Sequence, residues 1–521
     1  MKKYSILLLA AGLLSLTSCD EYLDKLPDDR AEVNSLDKAK QFLVSAYPTH
    51  SPNLIFETSC DNRTDNGVLY VAQPNQHQAY RWQTIETEGN DDPKAIWNAN
   101  YEACAIANMA LESIEGTSPE ANALRAEALL CRAYAMFMTA NTFCMAWNEE
   151  KADEYLGVPY PKVAGVTVDE RGTLRDTYKN INDDIEEALP MLNDTYLSVP
   201  KYHFNARAAY AFAARFNLYY RNYDKAIEYA TKALGNNPSS LMRNTIDYET
   251  LAGVEDIHNK WIRTGENCNF MLLSAYSIAG RTIYGSTSYK RFAHNRDIVT
   301  NQTFWAKSPW STGTSAVTGN ALVEARRQYG TNQCVYLPSL FEDFEVTDKV
   351  NNTGYAHVVD PVFTGDETIL VRAEAYIMKN QYTAALADMN TWLTGHSDVT
   401  SPMFLTLTEE NVNASLNSIK MTEVPSRAVG EETIKKPLNP QGFAIEEGTQ
   451  TNLIYTLLHM RRLTTMYQGL RWLDIKRWGI EFTHHLDNEE NITFKAGDLR
   501  GAIQLPTDVI EAGLEANPRE N

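Results

Sequence analysis

A mostly α-helical fold made of paired helices is predicted by three observations. Small residues recur at helical spacing on both sides of a short polar turn near the middle of the chain. The pattern returns more than a hundred residues later, and a turn-rich, aromatic stretch separates the copies. In the first copy Ala209 and Ala213 lie on a helix predicted over about 205–220. Arg221-Asn222-Tyr223-Asp224 forms the turn, and Ala226, Ala230 and Ala233 lie on a second helix ending near Leu234, before Gly235 and Pro238. Small side chains let two helices approach closely.

Ala226, Ala233 and Pro238 fall where a tetratricopeptide repeat has Ala, Ala and Pro, and Tyr210 stands at its first aromatic position, so the unit resembles such a repeat. The second copy begins at Glu367, with Arg372-Ala373-Glu374-Ala375-Tyr376 on one helix, Lys379-Asn380-Gln381 as the turn, and Tyr382, Ala385, Met389 and Trp392 on the other. Earlier helices are predicted from Trp97 to Ile114, from a Ser118-Pro119-Glu120 cap to about Trp147, and after Thr173, where Tyr178, Ile181, Ile185, Leu189 and Leu192 keep helical spacing and Pro190 limits the run. The scaffold is therefore placed at about 97–240 and 366–395. With the copies so far apart, one uninterrupted solenoid is not expected. The stretch of about 245–365 is rich in Gly, Ser, Thr, Asn and aromatics; Ala279 to Gly285 and Ser308 to Gly313 read as turns. A second loop-rich stretch covers about 399–447. A C-terminal helical part is placed at 451–521, with helix from Thr451 to about Phe482.

At the N-terminus, Lys2 and Lys3 precede an apolar run from Ile6 to Leu16 and then Leu16-Thr17-Ser18-Cys19. The run is well short of the ~20 residues of a membrane-spanning helix, and its basic front and small-residue end read as a signal peptide over 1–18. Cleavage would leave Cys19 first, with a thiol able to carry a diacylglycerol; the tetrapeptide resembles a bacterial lipobox. Loss of Lys2 and Lys3 takes the formal charge from −20 to −22, which disfavours nucleic acid and anionic head groups as partners. A lipid chain would then supply the membrane attachment.

Length leaves the domain count open. Cys60, Cys104, Cys131, Cys144, Cys268 and Cys334 contain no C-x-x-C pair and suggest no zinc framework; their pairing stays unassigned, with buried thiols an equal reading. His484 and His485 would point to different sides of either a helix or a strand and read as non-ligands. No phosphate loop, G-x-S-x-G, H-E-x-x-H or EF-hand pattern occurs, so neither cofactor nor metal is expected. Acid pairs such as Glu342-Asp343 keep a glycosidase in view, although 67 acids make neighbours common by chance. Arg461, Arg462, Arg471, Lys476 and Arg477 form the one basic cluster. Asp474, three residues from Arg471 and from Arg477, is expected to pair with both, and Trp472, Leu473 and Trp478 read as core.

Motifs along nearly the whole mature chain resemble the SusD/RagB family: the lipobox followed by Glu21-Tyr22-Leu23-Asp24; Trp97 with Tyr101; Leu124-Arg125-Ala126-Glu127; Arg372 to Tyr376; Gly469-Leu470-Arg471-Trp472-Leu473-Asp474-Ile475-Lys476-Arg477-Trp478-Gly479; Gln504-Leu505-Pro506; and Asn517-Pro518-Arg519. Met460-Arg461-Arg462 followed by Thr464 departs from the family's Glu-Arg-Arg with a following Glu, and Gln468 stands where an acid is common, which puts that helix's buried ion pairs in question. The resemblance implies a single SusD-like domain from 19 to 521, without catalysis. It implies a lipoprotein of the outer membrane, facing the cell exterior, that captures an oligosaccharide and delivers it to a SusC-like TonB-dependent β-barrel transporter. An envelope glycan hydrolase and a repeat-built assembly scaffold are the alternatives, and a peptide could replace the glycan.

A sugar ring offers C–H faces that stack on Trp or Tyr and hydroxyls that need directional partners. Aromatics in loop-rich sequence meet that demand. The expected contacts are therefore Trp82, Tyr284, Tyr289, Trp305 and Trp310, with Arg81, Asn301 and Asp61 as polar neighbours; as in the family, most lie in the inserted region.

Overall fold

A computed structural model describes residues 36–165, 170–284, 289–314 and 318–520. The signal peptide, Cys19 and the Glu21–Asp24 motif lie outside the described residues.

Helices dominate, and their ends follow the local chemistry. Ser118 accepts a hydrogen bond from the Ala121 amide (3.1 Å) and opens Pro119–Phe143. Thr173 and Asp176 cap each other at the start of Leu174–Ala188, and the run then tightens into the short 3-10 turn Leu189–Met191 around Pro190. Asn205 caps Ala206–Tyr219, Asn222 caps Tyr223–Leu234, and Gly235 ends the second helix at φ +65°. The second copy comprises Gly365–Met378 and Tyr382–His396, with Asn380 of the turn at φ +58°.

Pro93–Ser113 packs along Pro119–Phe143, and that helix packs on Leu174–Ala188. Ala206–Tyr219 lies against Tyr223–Leu234, where Ala209, Ala213, Ala226, Ala230 and Ala233 are all fully buried. Separation in sequence does not carry into space: Gly365–Met378 packs on Tyr223–Leu234, on its own partner Tyr382–His396, and on Thr449–Thr464. The two copies thus share one helical stack, and the insertion leaves the stack and returns to it.

That insertion is more ordered than its composition suggests. Asn269–Tyr276, Thr353–Thr364 and Asp343–Asp348 form an antiparallel three-stranded sheet with the long strand in the middle. Thr364 ends that strand and also caps Gly365–Met378, so the sheet is fused to the scaffold without a linker. Ala279 to Tyr284, expected as a turn, is a short helix. Gly280 is required there, because a Cβ would stand 2.4 Å from the Glu342 amide nitrogen. The expected turn at Ser308–Gly313 is present, closed by paired backbone bonds between Ser308 and Ser311.

The C-terminal part departs further from expectation. Helix breaks after Thr464, resumes as Leu470–Trp478, and ends at Gly479, whose φ is +55°. Beyond it lie a hairpin, Phe482–His484 with Ile492–Phe494, and only a short helix, Thr507–Glu511.

The basic cluster is buried and paired. Arg461 is fully buried and lies 3.0 Å from Asp474, 3.5 Å from Glu367 and 3.7 Å from Glu374. Arg477 meets Glu374 at 2.8 Å and Asp474 at 2.7 Å, whereas Arg471 turns away to Asp61 at 2.8 Å. Asp474 thus pairs with Arg461 and Arg477 rather than with Arg471 and Arg477. The acids missing from the local motif are supplied by Gly365–Met378 and by the segment after Asn53–Ser59. Trp472, Leu473 and Trp478 are buried, as are the six cysteines, all of them free thiols.

Candidate functional site

Three of the expected ligand contacts belong to the core. Trp82 is 3% exposed; its indole N–H donates to the Ser59 carbonyl (2.9 Å) and its ring stacks on His484 (4.7 Å, 17°). Trp310 is 1% exposed and lies parallel to His459 (5.6 Å, 8°). Both rings are closed off by histidines from the distant C-terminal part, so neither offers a face to a ligand. Asp61 is buried among Arg471, Arg462 and Lys436 (2.8, 3.4 and 2.9 Å). Burial pushes its carboxyl up, but the Arg462, Arg471 and Lys436 charges outweigh this and hold it well below the usual range. It serves as a structural counter-ion.

The other five are at least partly accessible. Arg81 pairs with Glu489 (2.6 Å), and Asn301 donates to the Asp297 carbonyl of its own turn (3.0 Å). Tyr289 is half-buried. Trp305 is half-buried, its N–H on the Ala325 carbonyl (2.8 Å) and the Arg296 guanidinium 4.6 Å above its ring. Tyr284 ends the Ala279–Tyr284 helix, and around it the structure assembles a cluster that the sequence reading passed over.

The cluster rests on a hairpin, Tyr329–Thr331 paired with Cys334–Tyr336, which places Tyr329 directly opposite Tyr336. The Tyr336 ring lies 4.2 Å from Tyr284 at 34° and 6.3 Å from Tyr329 at 27°. Three half-buried rings thus form a tilted row. Phe341 closes one end edge-on to Tyr284 (5.3 Å, 81°), and the Arg327 guanidinium stands 5.7 Å from the Tyr329 ring at the other. The local run Tyr329-Gly330-Thr331-Asn332-Gln333-Cys334-Val335-Tyr336 carried the signal: two short segments around a polar turn containing Gly read as a hairpin. Gly330 is obligatory, with φ +109° and a would-be Cβ 2.0 Å from the Cys334 carbonyl oxygen.

This hairpin is held from several sides. The Val335 amide donates to the His294 carbonyl (2.8 Å), the Arg296 amide to the Asn332 carbonyl (2.8 Å), and the Asn66 side chain to the Gln333 carbonyl (2.8 Å). The Cys334 thiol points at the Ile283 carbonyl (3.1 Å), tying the hairpin to the helix that carries Tyr284. Among the described residues, the buried Tyr284 hydroxyl has no hydrogen-bond partner. Burial, then the neighbouring Tyr336 and Tyr329, push its phenol up, so it stays protonated. A row of half-buried ring faces with an arginine at one end can stack flat C–H surfaces and bond hydroxyl groups.

Comparison with known proteins was made on sequence and on fold. Residues 21–218 match a SusD-like family described as starch-binding and associating with the outer membrane. No curated protein matches the chain. Among solved structures, a SusD superfamily protein from Bacteroides thetaiotaomicron superposes with TM-score 0.61 at 18% identity, covering 93% of this chain and 100% of its own. A SusD-like carbohydrate-binding protein from Bacteroides vulgatus gives 0.55 at 13% identity, covering 89% of each chain. A laminarin-binding SusD-like protein gives 0.53 at 14% identity, covering 92% of this chain and 99% of its own. The family match covers residues 21–218, and the likeness of fold to these solved structures extends over most of the chain.

Proposed function

We propose that this protein binds an oligosaccharide on the row formed by Tyr284, Tyr336 and Tyr329, with Trp305 and Tyr289 as further candidate contacts, and releases it unchanged to a TonB-dependent β-barrel transporter in the outer membrane. The observation that carries the reading is the row itself. Tyr329 and Tyr336 stand on a braced hairpin, and Tyr284 packs on Tyr336 from the end of the neighbouring helix. The family's description as starch-binding and the laminarin-binding relation of similar fold support a glycan as the ligand. Acylation at Cys19 would hold the protein at the membrane, and the helical stack, extended and rigid, suits the transporter interface.

The hydrolase alternative finds little support in the geometry. Glu342 is committed to an ion pair with Arg281. Ser426, His485 and Glu432 meet, but Ser426 donates to Glu432, and the same His485 nitrogen faces both the Ser426 hydroxyl (3.0 Å) and the Glu432 carboxylate (3.3 Å). A Ser-His-acid relay needs the acid on the other ring nitrogen. Binding and turnover are separated by incubating the purified protein with a starch oligosaccharide and a laminarin oligosaccharide, reading affinity by calorimetry and product by chromatography. Binding without product is expected; product formation by the pure protein would overturn the reading.

A further inference from the structure

Away from the tyrosine row, a cleft of about 50 Å³ opens where the loop before Asn53–Ser59 meets Pro93–Ser113, Pro119–Phe143 and the three-stranded sheet. Its walls are apolar, built from Pro52, Met138, Leu273, Val362 and Leu470. Among the described residues, two buried oxygens in its lining have no donor. Asp360, 4% exposed, receives the Asn53 amide on one carboxylate oxygen (2.8 Å), and its Oδ1 has no partner. Asn100, 1% exposed, donates to the Ile96 carbonyl (2.9 Å), which fixes its amide orientation and leaves its Oδ1 without a partner. A buried acceptor without a donor is unfavourable, so two in the lining of one cleft leave room for a donor from outside.

The charges indicate which donor. Asp360 makes no ion pair with a described residue. Arg215, the one arginine lining the cleft, is already bound to Glu367 (3.2 and 3.3 Å) and to the Val362 carbonyl (2.6 Å). A hard divalent cation is a poor fit, because no three His, Cys, Asp or Glu side chains converge among the described residues. Apolar walls ending in a lone carboxylate and a carboxamide oxygen match an alkyl stem with a cationic head, and the acidic chain attracts cations.

We propose that this cleft takes a primary alkylammonium group, whose head donates to Asp360 Oδ1 and Asn100 Oδ1 while its stem lies along Met138, Leu273 and Leu470. The group could come from a lysine side chain of a polypeptide or from a free amine. Burial, with Asp91 adding to it, pushes the Asp360 carboxyl up to about 7. The other titratable or charged groups lining the cleft are His50, Tyr134 and Arg215. Burial lowers His50, so it stays neutral near neutrality, and burial pushes Tyr134 up, so it keeps its proton there. Affinity should therefore rise from about pH 6 to about pH 8 as Asp360 ionises.

The test titrates the full mature protein with n-butylammonium, with Nα-acetyl-lysine methylamide, and with n-butanol as the neutral isostere, read by ligand-observed NMR. Saturable ammonium binding is expected, stronger at the higher pH and absent for butanol. Asp360→Asn, which keeps shape and removes charge, should weaken it at least about tenfold, and Asn100→Leu should do likewise. Binding of both amines would favour a lysine source, and binding of butylammonium alone a free amine; either supports the site. Equal binding of butanol, undiminished binding by Asp360→Asn, or no binding by either amine overturns it. Oligosaccharide affinity in Asp360→Asn should be unchanged, so this proposal and the tyrosine row stand or fall separately.

Discussion

The helices near the C-terminus and the tyrosine row present their side chains in opposite ways. In Thr449–Thr464 and Leu470–Trp478 the arginines are sunk into the core, and distant acids close the charges: Glu367, Glu374 and Asp474 around Arg461 and Arg477, Asp61 around Arg462 and Arg471. At the row, Tyr284, Tyr329 and Tyr336 are half-buried rings, two of them on a hairpin braced by backbone bonds from behind. Paired buried charge specifies how distant segments meet. Partly open rings on a braced backbone leave a surface for another molecule. The difference separates residues that hold the fold from residues we propose for the ligand.

The largest expected effect lies on the first side. Arg461→Ala leaves Asp474 and Glu374 buried with fewer counter-charges and should cost about 3–5 kcal/mol, read as a lower midpoint in urea unfolding. Trp310→Ala and Trp82→Ala should each cost about 3–5 kcal/mol by opening a cavity beside His459 or His484. If either variant keeps wild-type stability yet loses glycan binding, the division between regions fails.

Histidines sharpen the same comparison through pH. Burial, reinforced by Arg462 in both cases, lowers His294 to about 3 and His459 to about 3; burial lowers His484 to about 4. These values lie below the ordinary value of about 6.5, so the unfolded chain binds more protons in acid. Their contribution is complete above about 6.5 and is lost as pH falls toward those values. His396 behaves oppositely: burial lowers it, but Glu324 and Asp366 outweigh burial and raise it to about 9. Its contribution is complete below about 6.5 and is lost as pH rises through about 9. Thermal melts against pH should fall on both flanks, and His396→Gln should flatten the alkaline one. A profile unchanged by that substitution would remove His396 from the account.

Smallest in stability are changes in the row. Tyr329→Ala should shift stability by about 1 kcal/mol or less, since its ring is half-buried and the hairpin is braced elsewhere. Tyr284→Phe should leave stability equal or slightly raised, because it removes a buried hydroxyl that has no partner.

The helices were legible because their information is local: alanines at helical spacing, Asn205 and Thr173 as caps, Gly235 as a stop. Strands were not. Asn269–Tyr276 is a short, nearly continuous apolar run that periodicity alone cannot separate from a buried helix segment, and its partner lies about eighty residues on. The proposed site was half legible. Composition selected Tyr284 and Trp305, which stay partly accessible, but also Trp82 and Trp310, since a ring in loop sequence looks alike whether or not His484 or His459 returns to cover it. Tyr329 and Tyr336 of the proposed row were passed over although their hairpin signal was local. The arginine pairs could not be read from the helix alone, because Glu367 and Asp61 lie far away in sequence.

The most direct test of the central claim is calorimetric titration of Tyr336→Ala with a starch or laminarin oligosaccharide that the wild-type protein binds, beside Trp310→Ala measured at a temperature where it remains folded. Tyr336 is the middle ring of the row, in contact with both neighbours. Its loss should weaken binding at least about tenfold, or about 1.4 kcal/mol, with the melting temperature nearly unchanged, while Trp310→Ala should bind normally. Wild-type affinity in Tyr336→Ala, together with lost affinity in folded Trp310→Ala, would place the ligand elsewhere and contradict the account.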